Sequence, residues 1–199
     1  MRRRALLKLA AFAPLLTWPL HARGSSAERS RRRTISRARP GTPGWASSRD
    51  WAQLDRDVGG RLLKPVSPFL GCSEAADLRC ATALRELRQH NPYYIGDEPA
   101  LTQASGWVGA WSCQPSSYAV AAGSTSDVVS AVNFARTHNL RLVITGGGHG
   151  YQGTSNAPDS LLIWTRWMNA VTLHDDFVPQ GCRGKQAPPP AVSVGAGAL

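Results

Sequence analysis

Thr145-Gly146-Gly147-Gly148-His149-Gly150-Tyr151-Gln152-Gly153-Thr154-Ser155 brings tight-turn chemistry next to a reactive side chain. Glycine lacks a Cβ, so this backbone can turn sharply and bring its N–H groups close to an anion. A pyrophosphate is the natural guest for such a loop. His149 places a nucleophilic, titratable imidazole beside that guest. The candidate binding residues are therefore Gly146, Gly147, Gly148, His149, Gly150, Tyr151, Gly153, Thr154 and Ser155. No general acid or base and no metal ligand is assigned. The run does not follow the G-x-G-x-x-G pattern that opens a helix, and it lacks the Gly-Lys-Ser/Thr ending of a P-loop. A nicotinamide site and an NTPase site are both disfavoured. By itself a Gly-Gly-Gly-His run is also what a plain turn between strands looks like.

The flanking pattern decides what such a loop sits on. Tyr118 to Ala122 reads as a short apolar strand, and Gly123 to Asp127 as a turn rich in capping side chains. Val128 to His138 follows as a helix with Val128, Ala131, Val132 and Ala135 on one face. Asn139 suits a left-handed C-cap. Leu140 to Ile144 is the next strand, and it delivers the chain into the glycine loop. A right-handed crossover would make the two strands parallel neighbours. The loop then opens at the carboxyl end of a strand, where α/β sheets bind ligands. Leu161 to Trp164 is a further strand. Residues 170–177 and 191–196 read as a strand pair joined through the stiff Pro188-Pro189-Pro190.

Upstream, Ser73 to His90 reads as a helix capped by Ser73, with Ala76, Cys80, Ala83, Leu84 and Leu87 on one face and Asn91-Pro92 as its stop. Residues 93–113 read as a packed loop carrying Trp107 and Trp111. On one continuous helix Cys72 and Cys80 would be about 12 Å apart along the axis. A disulfide needs Cα atoms within about 7 Å, so pairing requires Cys72 to fold back from before the helix. The partners of Cys113 and Cys182 stay open, and with no C-x-x-C pattern a structural zinc site is disfavoured. His138 reads as a helix C-cap, His174-Asp175-Asp176 as a solvated turn and His90 as surface. The tryptophans read as packing residues, because no basic groove accompanies them.

Charge separates a leader from the body. The chain has 199 residues and a formal net charge of +10. Residues 1–39 hold ten Arg and one Lys against the single Glu28, while the other 160 residues hold 12 basic and 12 acidic side chains. The body therefore offers no basic stripe for nucleic acid. Arg2-Arg3-Arg4 precedes an apolar stretch at 9–20, broken by Thr17 and two prolines. A bilayer span takes roughly 20 apolar residues, so this stretch predicts a signal-peptide core and no stable membrane span. Arg3-Arg4-Ala5-Leu6-Leu7-Lys8 resembles the bacterial twin-arginine export signal, with Arg2 where Ser or Thr is usual. An ordinary secretory signal is the alternative. The expected organisation is a signal peptide at 1–22, a disordered linker at 23–48, a helical and loop region at 49–110, and the glycine-loop domain at 111–199. The expected location is outside the cytoplasm, periplasmic or secreted.

Residues 111–199 resemble the first part of the PCMH-type FAD-binding domain of vanillyl-alcohol oxidase-like and berberine bridge enzyme-like flavoproteins. The resemblance runs through Gln114-Pro115-Ser116-Ser117-Tyr118, Ser126-Asp127-Val128-Val129-Ser130-Ala131-Val132, Phe134-Ala135-Arg136 and the strand at 140–144. It continues through Gly147-Gly148-His149-Gly150-Tyr151-Gln152-Gly153-Thr154-Ser155 and closes on Val194-Gly195-Ala196-Gly197. It departs from the family at Thr145, where a basic residue is common, and at Gly150, where Ser or Asp is usual. The resemblance implies an α+β chain whose glycine-loop domain is the first α/β subdomain of that domain, behind a signal peptide and a helical segment. It implies FAD as cofactor, the loop at 146–155 around its pyrophosphate, and a covalent link from His149 to the 8α-methyl carbon of the isoalloxazine. It also implies a small-molecule substrate that gives up hydride to the flavin, with dioxygen as acceptor. The family's second flavin-binding half and its substrate domain correspond to positions after Leu199. An isolated 199-residue chain is therefore expected to be an incomplete oxidase, with under-covered apolar strand faces at Leu161, Ile163, Val192 and Val194. A phosphate-binding module without redox chemistry is the other reading.

Overall fold

Ser160-Leu161-Leu162-Ile163-Trp164 is apolar on both faces, and it takes the protected centre of a sheet. The computed structural model describes residues 36–72, 78–89, 91–105, 107, 114–182, 184 and 187–199. In chain order the elements are α1 (Ser48–Asp57), β1 (Leu62–Leu63), α2 (Leu78–Arg88), α3 (Pro92–Asp97), β2 (Tyr118–Ala121), α4 (Thr125–Thr137), β3 (Arg141–Thr145), β4 (Ser160–Trp164), β5 (Val171–His174) and β6 (Ala191–Val194). The main sheet has the order β1-β2-β4-β3. β2, β4 and β3 are parallel, and β1 adds antiparallel at the edge. β5 and β6 form a separate antiparallel pair, with Val171 opposite Val194 and His174 opposite Ala191.

The sequence pattern made β2 and β3 direct neighbours; the structure inserts β4 between them. All five residues of β4 are buried, whereas Arg141 and Ile144 on β3 are exposed. A continuous apolar strand belongs in the interior of a parallel sheet, so β3 is displaced to the edge.

Alternation along the strands makes two cores. Val120, Leu161 and Ile163 face α4 and α1, together with Ala131, Ala135, Leu140, Trp51, Leu54 and Val58. Ala119, Ala121, Leu162 and Trp164 face the other side. There the Trp164 indole N–H donates to the Gly96 carbonyl at 3.1 Å and fixes α3 against the sheet. The residues 49–110 and 111–199, expected as separate regions, thus share one sheet and one core, and residues 36–199 form a single unit.

The first core depends on α1. Ser47 and Asp50 close a reciprocal capping box at its start. Trp51 and Leu54, three residues apart, point inward, and Trp51 stacks on Tyr118 with ring centroids 3.9 Å apart and packs on Phe134. The end of the expected linker is also built in. Ala38 makes a parallel bridge to Leu140, and Ala38 and Ala46 are buried. Disorder is therefore not what residues 36–48 show. Trp45, packed on the same core, supplies the apolar surface that holds this segment. Residues 1–35 lie outside the described residues.

α4 starts three residues earlier than expected, because Ser124 and Asp127 form a second capping box. Its inward face is Ala131 and Ala135 with Val128 and Phe134 packed alongside, whereas Val132 is 41% exposed. Asn139 takes the expected left-handed conformation, φ 50°, and His138 is the C-cap. The described helix α2 covers Leu78–Arg88; the expected cap at Ser73, along with His90, Trp111 and Cys113, lies outside the described residues. Cys80 and Ala83 are buried and Leu84 is exposed. Cys72 does fold back, its Cα 5.7 Å from that of Cys80, and the two form a disulfide. The loop expected from residue 93 starts with a helix instead. Asn91 accepts hydrogen bonds from the N–H groups of Tyr93 and Tyr94, and Pro92 occupies the first helical turn, where no N–H partner is needed. Leu161 and Ile163, expected to lack cover, are fully buried under α1 and α4, while Val192 and Val194 are 54% and 61% exposed. His174 bonds the Ser193 hydroxyl across the hairpin at 2.8 Å.

Candidate functional site

β3 ends at Thr145, and the glycine loop begins there, at the carboxyl end of a parallel strand. The Thr145 hydroxyl donates to the Ser155 carbonyl and clasps the two ends of the loop together. The Thr145 carbonyl accepts from the Thr165 N–H at 3.0 Å, which ties the loop's base to the end of β4. Gly148 (φ 74°) and Gly153 (φ 67°) turn the chain in the left-handed region that side chains avoid. A Cβ on Gly146 would stand 3.0 Å from the Ala196 carbonyl oxygen, and one on Gly147 would stand 2.8 Å from Cδ2 of His149. The glycine run is thus required by close approach to both the carboxyl-terminal turn and the imidazole.

The turn at 195–197 has the same cause. A Cβ on Gly195 would strike the Met168 carbonyl, and one on Gly197 the Thr165 carbonyl. The N–H groups of Gly195 and Gly197 donate to Ala170 and Met168. The Thr165 hydroxyl lies 3.2 Å from both the Thr145 and Ala196 carbonyl oxygens, bracing the two turns side by side.

Along the loop, the N–H groups of Gly146, Gly147, Gly148, His149 and Gly150 donate to no carbonyl or side chain among the described residues. Buried or half-buried N–H groups left in this state are what an anion takes up. The Thr154 and Ser155 hydroxyls lie 3.2 and 3.3 Å from where a Cβ on Gly150 would be. Glycine at 150, where the resemblance leads one to expect Ser or Asp, leaves those hydroxyls open. These donors fit a pyrophosphate, and they come from seven of the nine residues that the sequence singled out. Gly153 contributes the turn, and Tyr151 lies beside Trp107, ring centroids 5.5 Å apart.

His149 is exposed, and its Nδ1 stands 3.1 Å from the Gln103 amide oxygen. Gln103 is anchored next to it, its own N–H donating to the Gly148 carbonyl at 3.3 Å. The imidazole opens on a cavity of about 570 Å³ walled by Leu84, Leu87 and Arg88 of α2, Pro92 and Ile95 of α3, and by Gln103, Ser105, Trp107 and Tyr151. Outside the cavity lining, on α3 and at its C-cap, burial first and the nearby carboxylates second push the Tyr94 hydroxyl and the Glu98 carboxyl up from their ordinary values. No group of three metal-ligating side chains occurs among the described residues.

Two functional neighbours escaped the sequence reading. Gln103 lies 46 positions from His149, and nothing local marks it. Asn156 follows Ser155 directly and could have been noticed. It is buried, its Oδ1 accepts from the Ser116 N–H and hydroxyl and from the Ala157 N–H, and its Nδ2 donates to the Pro99 carbonyl at 2.7 Å. It fastens the loop's exit to β2 and to the segment that carries Gln103.

Residues 116–180 match the family described as FAD binding domain. The chain is 34% identical over 192 residues to the FAD-linked oxidoreductase malF of Malbranchea aurantiaca, covering 85% of this chain and 32% of that protein. It is 31% identical over 174 residues to the FAD-linked oxidoreductase asqF of Emericella nidulans, covering 78% and 30%. The structure is similar to the VAO-type flavoprotein MtVAO615 of Myceliophthora thermophila C1, with TM-score 0.63, 26% identity, and coverage of 81% of this chain and 32% of that one. The mixed α/β fold and the glycine loop therefore define a VAO-type FAD-binding domain. The chain belongs to the FAD-linked oxidoreductase family, of which it carries the amino-terminal part. It spans about a third of the length of the curated relatives it matches.

Proposed function

We propose that this chain forms the pyrophosphate-binding part of a berberine bridge-like FAD-dependent oxidoreductase and carries its flavin covalently on His149. The observation that supports the reading most is the pairing of five unengaged loop N–H groups with an imidazole that opens on a 570 Å³ cavity. Gly146 to Gly150 would hold the pyrophosphate through backbone N–H groups, assisted by the Thr154 and Ser155 hydroxyls. When bound, FAD supplies hydride acceptance at N5. A bond from the His149 ring to the 8α carbon replaces one C–H and one N–H hydrogen. The two protons and two electrons released pass to dioxygen as hydrogen peroxide. Such a bond keeps the cofactor with the polypeptide, which matters for a protein whose leader directs export before use. In a protein of the relatives' length, the reaction is hydride transfer from a carbon of a small-molecule substrate to the flavin, with dioxygen as the acceptor.

The test is acid precipitation of the FAD-loaded protein. Flavin fluorescence is expected to stay with the polypeptide and to map to the peptide containing His149. His149→Ala is expected to retain only dissociable FAD. Covalent flavin surviving that substitution would end this reading. Export has its own test: Arg3→Lys with Arg4→Lys should stop delivery of a reporter fused after residue 48, and unchanged delivery would exclude the twin-arginine route.

A further inference from the structure

We propose that the cavity beside His149 binds a small molecule with a flat apolar body and one carboxylate, and that Arg88 takes the carboxylate. α2 turns Leu84, Leu87 and Arg88 to the cavity together, because residues three and four apart share one face of a helix. Leu84 is 43% exposed, and the aromatic pair of Trp107 and Tyr151 stands at 52% and 61%. Apolar side chains left this open are ordinarily scattered singly over a surface. Here three of them wall one concave space of about 570 Å³, a volume in the range of small-molecule sites.

Charge decides the class of ligand. α2 carries two basic residues in its last turn, Arg85 and Arg88. Arg85 is engaged by the Glu86 carboxylate at 3.2 Å. Arg88 is exposed and, among the described residues, is joined to no carboxylate. The residues that line the cavity include no Asp and no Glu. A guanidinium so placed offers a planar, two-pronged donor that matches a carboxylate. A cationic ligand would find no counter-charge in this wall, and a neutral one would gain nothing from Arg88. The proposal deepens the reading of the chain as a flavin domain, because with flavin on His149 a molecule of this class is the substrate. That role rests on the flavin reading; the binding of the carboxylate does not.

The experiment titrates the flavin-free 199-residue chain calorimetrically with cinnamate, with its neutral amide cinnamamide and with acetate. Cinnamate is expected to bind about five-fold tighter than the amide, the scale of an ion pair that keeps some of its water. Acetate, which lacks the ring, is expected to bind too weakly to measure. Arg88→Gln should erase the preference for the acid and leave amide binding unchanged, and Arg88→Lys should keep part of it. Arg85→Gln is the control and should change neither. Trp107→Leu should weaken the acid and the amide alike. Circular dichroism checks that each variant is folded. No cinnamate binding, equal affinity for acid and amide, or a preference that survives Arg88→Gln overturns the proposal. The titration is then repeated after loading with FAD. Retained cinnamate binding supports a seat separate from the cofactor's, whereas mutual displacement assigns the cavity to the flavin and overturns the proposal. A chain that takes up no FAD yet keeps the Arg88-dependent preference ends the flavin reading and leaves this site standing.

Discussion

Arg61 Nη2 stands 2.6 Å from Oδ1 of Asp127, joining the edge of the sheet to the first turn of α4. The same carboxylate accepts from the N–H groups of Gly123 and Ser124, both at 3.0 Å. One buried side chain therefore caps a helix, closes the turn after β2 and holds Arg61. Burial pushes the Asp127 carboxyl up, but the hydrogen bonds from Ser124, Arg61 and Gly123 outweigh it and leave it below the ordinary carboxylate range.

The sign of the pH dependence follows. A carboxyl lowered in the folded state stabilises the fold above its unfolded value near ~3.9 and loses that contribution as pH falls through the folded value. Asp127→Asn should therefore flatten the acid side of the stability curve below about pH 4. At neutral pH it should cost about 2 kcal/mol, because a cap and a half-exposed ion pair are lost together. Urea unfolding from pH 3 to 7 measures both. An acid limb identical in the two proteins would show that Asp127 is not the titrating group.

Gly197→Ala should destabilise far more than a glycine substitution normally does. The new methyl would meet the Thr165 carbonyl, which is backbone braced on both sides by hydrogen bonds. A loss of at least about 2 kcal/mol is expected from overpacking. Gly123→Ala is the control, because its Cβ would meet its nearest atoms at 3.9 Å and its φ is ordinary. That change should stay within about 0.5 kcal/mol. Equal thermal shifts for the two variants would contradict the close approach.

The Cys72–Cys80 bridge closes a short loop across a sequence separation of 8. Loop-closure entropy makes such a link worth roughly 2–3 kcal/mol. Replacing both cysteines by Ala should lower the unfolding free energy by that amount, and reducing agent should lower the stability of the natural chain but not that of the variant. A natural chain insensitive to reductant would show that the bridge does not form. Because Cys80 lies in the first turn of α2, which supplies Leu84, Leu87 and Arg88 to the cavity wall, the same variant should weaken FAD retention.

Much of this architecture can be read from local chemistry, and its failures have a common cause. The glycine loop, the strands at 118–121 and 141–145 and the left-handed Asn139 are each specified within a few residues, by a strand pattern or a positive φ. What the chain does not state locally is which strand lies beside which. β4 goes to the centre because both its faces are apolar, a feature that becomes decisive only when set against the exposed Arg141 and Ile144 of β3. α1 was legible in Ser47-x-x-Asp50 and in the spacing of Trp51, Leu54 and Val58, but the surrounding Arg, Ser and Pro residues masked it. Gln103 is a different case, because its role arises only from a long-range contact.

Asn156 carries the last prediction. Its side chain is buried and engages four partners: the Ser116 N–H and hydroxyl, the Ala157 N–H and the Pro99 carbonyl. Asn156→Ala removes all four bonds and strands three backbone groups away from other protein partners. An unsatisfied buried polar group costs about 1–3 kcal/mol, so a loss of about 3 kcal/mol is expected after partial relaxation. Ser116→Ala removes one donor and leaves Asn156 two others, so it should cost only about 1 kcal/mol. The two residues touch, and the double variant should fall short of the sum by about 1 kcal/mol in a double-mutant cycle. Function should follow the same order. The Pro99 bond anchors the segment bearing Gln103, so Asn156→Ala should weaken FAD retention even at temperatures where the fold is intact, and Ser116→Ala should not. Retention unaffected by Asn156→Ala in a folded chain would mean that the glycine loop holds its shape without this anchor.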